Sequence, residues 1–135
     1  MNHKVSFRML LVLVLPIFLA GCAPKPDLVV LPAPNDVQYC HTTVEGNTIS
    51  LIVSVKNQNA NTAAAESTMQ VDFGSSNIVT ETVPVLDTTN PVDIPVLIPT
   101  GCYNPDCSFI ITLDYDNKVT ETDENNNTVN GTCIG

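Results

Sequence analysis

Cysteine is the residue type in this chain whose spacing points most directly to chemistry. Five cysteines occur among the 135 residues, at positions 22, 40, 102, 107 and 133. A cysteine can form a disulfide, ligate a metal or act as a nucleophile. Because five is an odd number, pairing leaves one thiol over. The neighbouring residues single out Cys22 as that thiol.

Cys22 directly follows a segment with the composition of a secretory signal peptide. Lys4 and Arg8 lie in a polar head before an apolar run at 9–20, which is too short for a bilayer core that needs roughly 20 residues. The sequence LAGC at 19–22 resembles the bacterial lipobox, whose cysteine receives diacylglycerol before the signal is removed. We therefore predict residues 1–21 to be a lipoprotein signal peptide and Cys22 to be the lipid attachment site. An ordinary signal peptide, with Cys22 as a free or pairing thiol, is the alternative.

The other four cysteines form an even set, which in a small exported chain indicates disulfides. Zinc prefers pairs spaced Cys-x2-4-Cys, often with histidine nearby. The only short spacing here is Cys102-x4-Cys107, and His41 is the only histidine after the signal. We therefore expect two disulfides rather than a zinc site.

The charge of the exported chain is strongly negative. The precursor has a formal net charge of −9, and the chain from Cys22 onward keeps only three lysines, no arginine and all 14 acidic residues, giving −11. Such a surface repels nucleic acid and anionic headgroups, which are bound mainly by Lys and Arg. We expect no nucleic-acid partner and a membrane attachment that depends on lipid at Cys22. Residues 22–27, with two prolines, are interpreted as a lipidated tether.

Carboxylates are concentrated near the C-terminal end, and oxygen ligands of this kind suit calcium. The candidate ligands are Asp114, Asp116, Glu121 and Glu124. An EF-hand loop counted from Asp114 requires Gly at its sixth position and Glu at its twelfth, where Val119 and Asn125 stand. We therefore favour a hairpin turn whose side chains bond the backbone or face water, assign no metal, and keep calcium as the alternative.

The sequence contains no pattern typical of an enzyme. A Ser-His-Asp triad could use only His41, and no Gly-x-Ser-x-Gly motif is present. No carboxylate stands out as a general acid in an apolar pocket. We expect neither catalysis nor a cofactor.

The elements that must position these residues have the two-residue period of β-strands. Alternating apolar residues are clearest at 48–56, 67–73, 92–98 and 109–115. Further strands are predicted at 28–31, 79–86 and 119–129, for a total of about seven. This count predicts an all-β, antiparallel sandwich of immunoglobulin-like or fibronectin-III-like type. The prolines at 84, 91, 95 and 99 place the middle strands at sheet edges or at kinks.

The C-terminal segment also carries a family resemblance. Residues 109–127, FIITLDYDNKVTETDENNN, resemble the closing hairpin of CARDB, the cell-adhesion-related domain found in bacteria. The segments PDLVV at 26–30 and VSVKN at 53–57 agree with it. The resemblance implies a CARDB-like β-sandwich over residues 28–135, used outside the cytoplasm for adhesion, spacing or interaction.

Strand order predicts where the disulfides lie. If successive strands alternate in direction, Cys40, Cys102, Cys107 and Cys133 gather at one end of the sandwich. Three pairings are possible. We favour Cys102 with Cys107 and Cys40 with Cys133 over Cys40–Cys102 with Cys107–Cys133.

Two function classes stay open. One is a membrane-anchored module that binds an envelope or extracellular protein or glycan, and the other is a structural or spacer lipoprotein without its own ligand. An apolar patch formed by Ile52, Leu97 and Ile110 on one face would favour a protein partner. Ala23 follows Cys22 where inner-membrane retention uses Asp in enteric-type bacteria, so we expect the outer membrane in a Gram-negative cell.

Overall fold

The described residues form eight β-strands, one more than the seven predicted. The computed structural model describes residues 23–34, 38–59, 61–87 and 89–135, so the predicted signal peptide and Cys22 lie outside the described residues. The strands are β1 (Leu28–Leu31), β2 (Thr42–Glu45), β3 (Thr48–Asn57), β4 (Ser67–Asp72), β5 (Ile78–Val83), β6 (Val92–Leu97), β7 (Cys107–Thr112) and β8 (Thr128–Cys133). The predicted all-β sandwich is confirmed.

The first sheet is built around β3. Its last four residues pair with β1, its first four pair with β2, and β6 pairs along the opposite side, all antiparallel. β1 and β2 therefore lie end to end along one edge of the sheet. The second sheet has the order β5-β4-β7-β8 and is also antiparallel.

The core lies between the two sheets because alternate side chains of each strand face inward. Its buried members include Leu28, Val30, Leu51, Val53, Val55, Met69, Val71, Val83, Ile94, Val96, Phe109 and Ile111. The rings of Phe73 and Phe109 lie 6.1 Å apart. Phe109 also covers Gly131, where an added Cβ would come within 2.3 Å of its Cζ atom. The edge strand β8 can approach this ring because residue 131 has no side chain.

Two parts of the chain differ from the predicted strands. All four side chains of β2 are exposed, so no alternation marks it; it forms by pairing with β3 through a turn in which Gly46 has φ +60. The predicted strand at 119–129 is mostly irregular, and β8 begins only at Thr128. In this segment, side chains form hydrogen bonds with backbone groups that would bond to a neighbouring strand if the segment were a strand.

The proline prediction agrees with the observed pairing. Within the described residues, β5 pairs only with β4, and β6, which contains Pro95, pairs only with β3. Pro84, Pro91 and Pro99 lie just outside these strands. Both proline-flanked strands are therefore sheet edges, where a missing N–H donor costs least.

Two disulfides are present among the described residues, and they are the favoured pair. Cys40 bonds to Cys133 across 93 residues, and Cys102 bonds to Cys107 across five. Cys107 and Cys133 are cross-strand partners in β7 and β8, yet each bonds to a cysteine outside that ladder. The long bridge joins the segment before β2 to the end of β8, and so ties the two sheets together.

The sandwich has two ends that differ in chemistry. We call the end that holds the start of β1 the N-terminal pole; it also holds the loops after β3, β5 and β7. The disulfide pole is the opposite end, with the turns after β2, β4 and β6 and the end of β8. The four paired cysteines and the acidic C-terminal loop thus belong to different poles.

Candidate functional site

Asn57, the last residue of β3, is buried at the N-terminal pole and makes four hydrogen bonds. Its Oδ1 accepts from the backbone N–H groups of Asp27 and Asn59, each at 3.1 Å. Its Nδ2 donates to the carbonyl groups of Thr62 at 2.8 Å and Leu86 at 3.1 Å. One side chain therefore fastens the start of the domain and two loops to the central strand.

The backbone before β1 is held at three successive carbonyl groups. The Pro24 carbonyl accepts from Thr62 Oγ1 at 2.9 Å, and the Lys25 carbonyl accepts from Thr122 Oγ1 at 3.2 Å. The Pro26 carbonyl accepts from the Thr122 N–H at 2.9 Å, and Pro26 itself is buried. This differs from the interpretation of the segment as a tether, because from Pro24 onward it packs against the domain.

Glu121 connects the acidic loop to β1. Its side chain is buried; Oε2 accepts from the Leu28 N–H, and Oε1 accepts from Asn127 Nδ2 at 2.8 Å. Burial raises the pKa of Glu121 above its ordinary value, and the two hydrogen bonds oppose that rise. The first strand is thus held by a carboxylate 93 residues away.

Asp114 shapes the same loop. It has φ +44, which Asp tolerates better than most residues, and its side chain is buried. Oδ1 accepts from the Lys118 N–H at 2.9 Å and Oδ2 from the Val119 N–H at 3.0 Å. Burial raises the pKa of Asp114, again against the effect of its hydrogen bonds.

Three of the four candidate calcium ligands come together. Asp114, Glu121 and the exposed Glu124 each offer a carboxylate oxygen, and these atoms lie within 4.8 Å of one another. Glu124 Oε1 also accepts from the Glu121 N–H at 2.8 Å. We call these three residues the carboxylate cluster. Ligands at about 2.3–2.6 Å from one calcium ion can be up to about 5 Å apart, so the spacing fits a shared divalent cation.

Asp116 lies apart from the carboxylate cluster. Its Oδ2 is 2.8 Å from Lys118 Nζ and accepts from Thr68 Oγ1 at 2.8 Å, while Oδ1 accepts from the Thr68 N–H at 3.0 Å. Lys118 beside it lowers the pKa of Asp116 to about 2. This residue joins the turn after β7 to the start of β4.

Asn127 adds an unused acceptor beside the cluster. Its Oδ1 is buried and has no hydrogen-bond partner among the described residues, although its Nδ2 is bonded to Glu121. Asn127 lines a cavity of about 310 Å³ together with Asp114 and Glu124. A neutral oxygen next to carboxylates suits a cation site.

A separate groove lies at the disulfide pole, with a volume of about 510 Å³. Ile49, Leu97 and Tyr103 give it apolar surface, and Asn47 and Asn77 provide amide groups. None of its lining residues is charged, although the molecule is strongly acidic. Apolar walls with a few polar groups are typical of binding sites. We call it the disulfide-pole groove.

The apolar residues singled out from the sequence do not share one face. Ile52 and Leu97 lie on the outer side of the first sheet, in β3 and β6, whereas Ile110 lies on the outer side of the second sheet, in β7. Leu97 is 55% exposed and Ile110 is 45% exposed. The condition for one extended apolar patch is therefore not met.

His41 precedes β2, and its carbonyl accepts from the Ile52 N–H at 2.7 Å. In the part of the chain that the structure describes, no helix is long and apolar enough to cross a membrane.

Comparison with known families and folds gives a consistent result. The CARDB family model matches residues 25–131, so the chain belongs to the CARDB family. No curated protein matches the chain. No enzyme family is indicated.

Two of the solved structures that match illustrate the shared fold. The CARDB domain of the PF1109 protein from Pyrococcus furiosus, solved in complex with di-metal ions, has 19% identity and a TM-score of 0.62, over 84% of this chain and 96% of that one. The 272–376 domain of a candidate cell surface protein from Methanosarcina acetivorans has 23% identity and a TM-score of 0.58, over 82% and 91%. At these identities the similarity supports the fold alone.

The structural importance of Asn57 was not recognised from the sequence, although a signal was present. In β3 the inward positions are 51, 53, 55 and 57, and the last of them holds a polar residue. A polar side chain at an inward position must find hydrogen-bond partners, and here it finds four. The spatial grouping of Asp114 with Glu121 and Glu124 has no comparable linear signal, because it depends on the path of the irregular loop.

Proposed function

We propose that this protein is an extracytoplasmic lipoprotein whose CARDB domain is held at a membrane by lipid on Cys22 and binds an envelope or extracellular protein or glycan. The observation that carries the proposal is the LAGC sequence at 19–22, placed after an apolar run and immediately before a CARDB domain. The similarity to a domain of a candidate cell surface protein is in keeping with this location.

Lipid attachment is tested by labelling cells with radioactive palmitate. Wild-type protein should incorporate the label, while the C22S variant should not and should remain as precursor or as a soluble exported domain. The four paired cysteines are untouched by this change, so the domain should fold normally. A wild-type protein that stays unlabelled would reject the anchor.

The membrane is part of the same proposal. Ala23 after Cys22 favours the outer membrane if the source cell is Gram-negative. Membrane fractionation on a density gradient should place the wild-type protein with outer-membrane markers. Recovery with inner-membrane markers would contradict this location.

The disulfide-pole groove is the proposed contact surface for the partner. Leu97 is exposed at this groove, and Ile110 is a similarly exposed residue on the opposite sheet, which makes it a matched control. A partner captured from solubilised envelope should be lost with L97D and kept with I110D. Equal capture by both variants would exclude the groove.

A spacer lipoprotein without a ligand is the alternative function. It is favoured by the position of the exposed apolar residues on opposite sheets, which leaves no single extended patch. In that case crosslinking in cells should give no specific partner that depends on Leu97, while deletion of the gene should alter envelope integrity.

We also propose that the carboxylate cluster binds a divalent cation. The 4.8 Å grouping of its oxygens and the unpaired Oδ1 of Asn127 support this, as does the presence of metal ions in the similar CARDB domain from Pyrococcus furiosus. Millimolar calcium should raise the melting temperature of the wild-type domain above its value in EDTA, where 1 kcal/mol corresponds to about 4–8 °C.

The E124Q variant should lose this shift, and D87N, which removes an exposed carboxylate outside the cluster, should keep it. Glu124 is the best position to change because it is the exposed member of the cluster. Equal calcium shifts in wild type and E124Q would reject the cation site.

A further inference from the structure

The segment before β1 is held against the domain, and this limits the orientation that the domain can take on a lipid surface. The carbonyl groups of Pro24, Lys25 and Pro26 are bonded to the loops of the N-terminal pole, and Ala23 is exposed. Ala23 is thus the only residue between the proposed lipidated Cys22 and the first fixed residue, Pro24.

The distance available is therefore short. Neighbouring Cα atoms are about 3.8 Å apart, so the Cα atom of Cys22 lies no more than about 8 Å from that of Pro24. The length of the sandwich is much greater, because ten-residue β3 alone extends about 33 Å at about 3.3 Å per residue. With so short a link, the anchor brings the N-terminal pole close to the headgroups. The disulfide pole could reach them only if the whole domain tilted.

We propose that the N-terminal pole rests against the lipid headgroups and that the disulfide pole, with its groove, points away from the bilayer. This inference relies on the proposed lipid anchor at Cys22. The contact is imposed by the link and not by charge, because acidic residues such as Asp27, Asp87 and Asp123 outnumber the lysines at this pole. Lipid headgroups are therefore the partner of this surface only in the anchored protein.

The chain contains no tryptophan, so a single introduced tryptophan reports its own position. N61W places it on an exposed loop of the N-terminal pole, V44W near the turn of the disulfide pole, and I110W on the outer face of the second sheet. Each full-length lipidated variant is inserted into phosphatidylethanolamine–phosphatidylglycerol vesicles, with or without a nitroxide on the headgroups.

Nitroxide quenching should be roughly threefold or more greater for N61W than for V44W, since the two poles are separated by about the length of β3. I110W should show weak quenching like V44W. Inserting ten Gly-Ser residues between Cys22 and Ala23 should remove the difference, and the same tryptophan variants carrying C22S should show no quenching.

Equal quenching of N61W and V44W would overturn the orientation, and strong quenching of I110W would show a domain lying on its second sheet. These outcomes are separate from a failure of the anchor. Palmitate labelling is measured on each variant first, so a labelled protein with equal quenching keeps the anchor and rejects the orientation.

Discussion

Asn57 and Glu121 are buried polar residues that organise the N-terminal pole at the scale of single side chains. Asn57 uses both its donor and its acceptor atoms on backbone groups, and Glu121 holds the first N–H of β1. Each side chain supplies hydrogen bonds that irregular loops cannot obtain from a neighbouring strand. Removing Asn57 takes the partner from four backbone groups, and removing Glu121 takes it from the Leu28 N–H and from the Asn127 side chain.

Replacing Asn57 with alanine should lower the free energy of unfolding by about 3 kcal/mol, because four backbone groups lose this partner and the buried one, the Leu86 carbonyl, alone costs about 1–3 kcal/mol, while the three part-buried groups can turn to water. Urea denaturation of the exported domain measures this. N61A, at an exposed loop position nearby, should change stability by less than about 0.5 kcal/mol. Similar losses in the two variants would contradict the assigned importance of Asn57.

The raised pKa of Glu121 determines in which direction the free energy of unfolding changes with pH. Because burial makes this carboxyl easier to protonate in the folded state, its stabilising contribution is complete below its ordinary pKa of 4.5 and is lost as pH rises through the raised value. The free energy of unfolding of the wild type, measured in EDTA, should therefore fall relative to that of E121Q as pH rises above 4.5.

The matched control for this profile is D87N, which removes an exposed carboxyl outside the carboxylate cluster. Parallel profiles for wild type and E121Q would show that Glu121 does not titrate differently in the folded protein.

At the scale of elements, the two disulfides constrain very different lengths of chain. The Cys102–Cys107 bridge closes a short loop between β6 and β7, while Cys40–Cys133 joins an edge of the first sheet to the last strand of the second. The long bridge also fixes β8, whose close approach to Phe109 depends on Gly131. The two bridges should therefore differ in their contribution to stability.

In the chain-entropy model the short bridge contributes about 2 kcal/mol and the long bridge about 4 to 5 kcal/mol. The C40A/C133A variant should accordingly have a lower melting temperature than C102A/C107A. Differential scanning calorimetry of the two double variants compares them directly. Equal decreases would refute the ranking.

For the whole molecule, the net charge is strongly negative, while the disulfide-pole groove has no charged lining residue. Beyond Cys22 the chain carries three lysines against 14 acidic residues, and the disulfide-pole groove is uncharged. Attraction to phosphate groups is therefore weak everywhere on the domain. We therefore expect membrane attachment to depend on the proposed lipid at Cys22, and we keep the uncharged groove as the proposed contact surface for a partner.

The C22S chain should not sediment with phosphatidylglycerol vesicles or shift DNA at low salt, whereas the lipidated wild type should sediment with the vesicles. Low salt is the stringent condition because screening is then weakest. Sedimentation of C22S that disappears on adding salt would reveal a basic surface that the composition does not predict.

The sequence by itself determined the sandwich, because strand periodicity is a local property. It favoured the disulfide pairing that the structure has while leaving two others possible, and it placed the proline-bearing strands at sheet edges or at kinks. It also contained every motif that resembles CARDB. Only the tertiary structure decided that residues 24–27 pack against the domain and that 119–127 is irregular. It also decided how the acidic residues are grouped. Asp114 meets Glu121 and Glu124, while Asp116 binds Thr68 and Lys118. These outcomes depend on which buried side chains satisfy distant backbone groups, and that competition is settled only when the whole chain is folded.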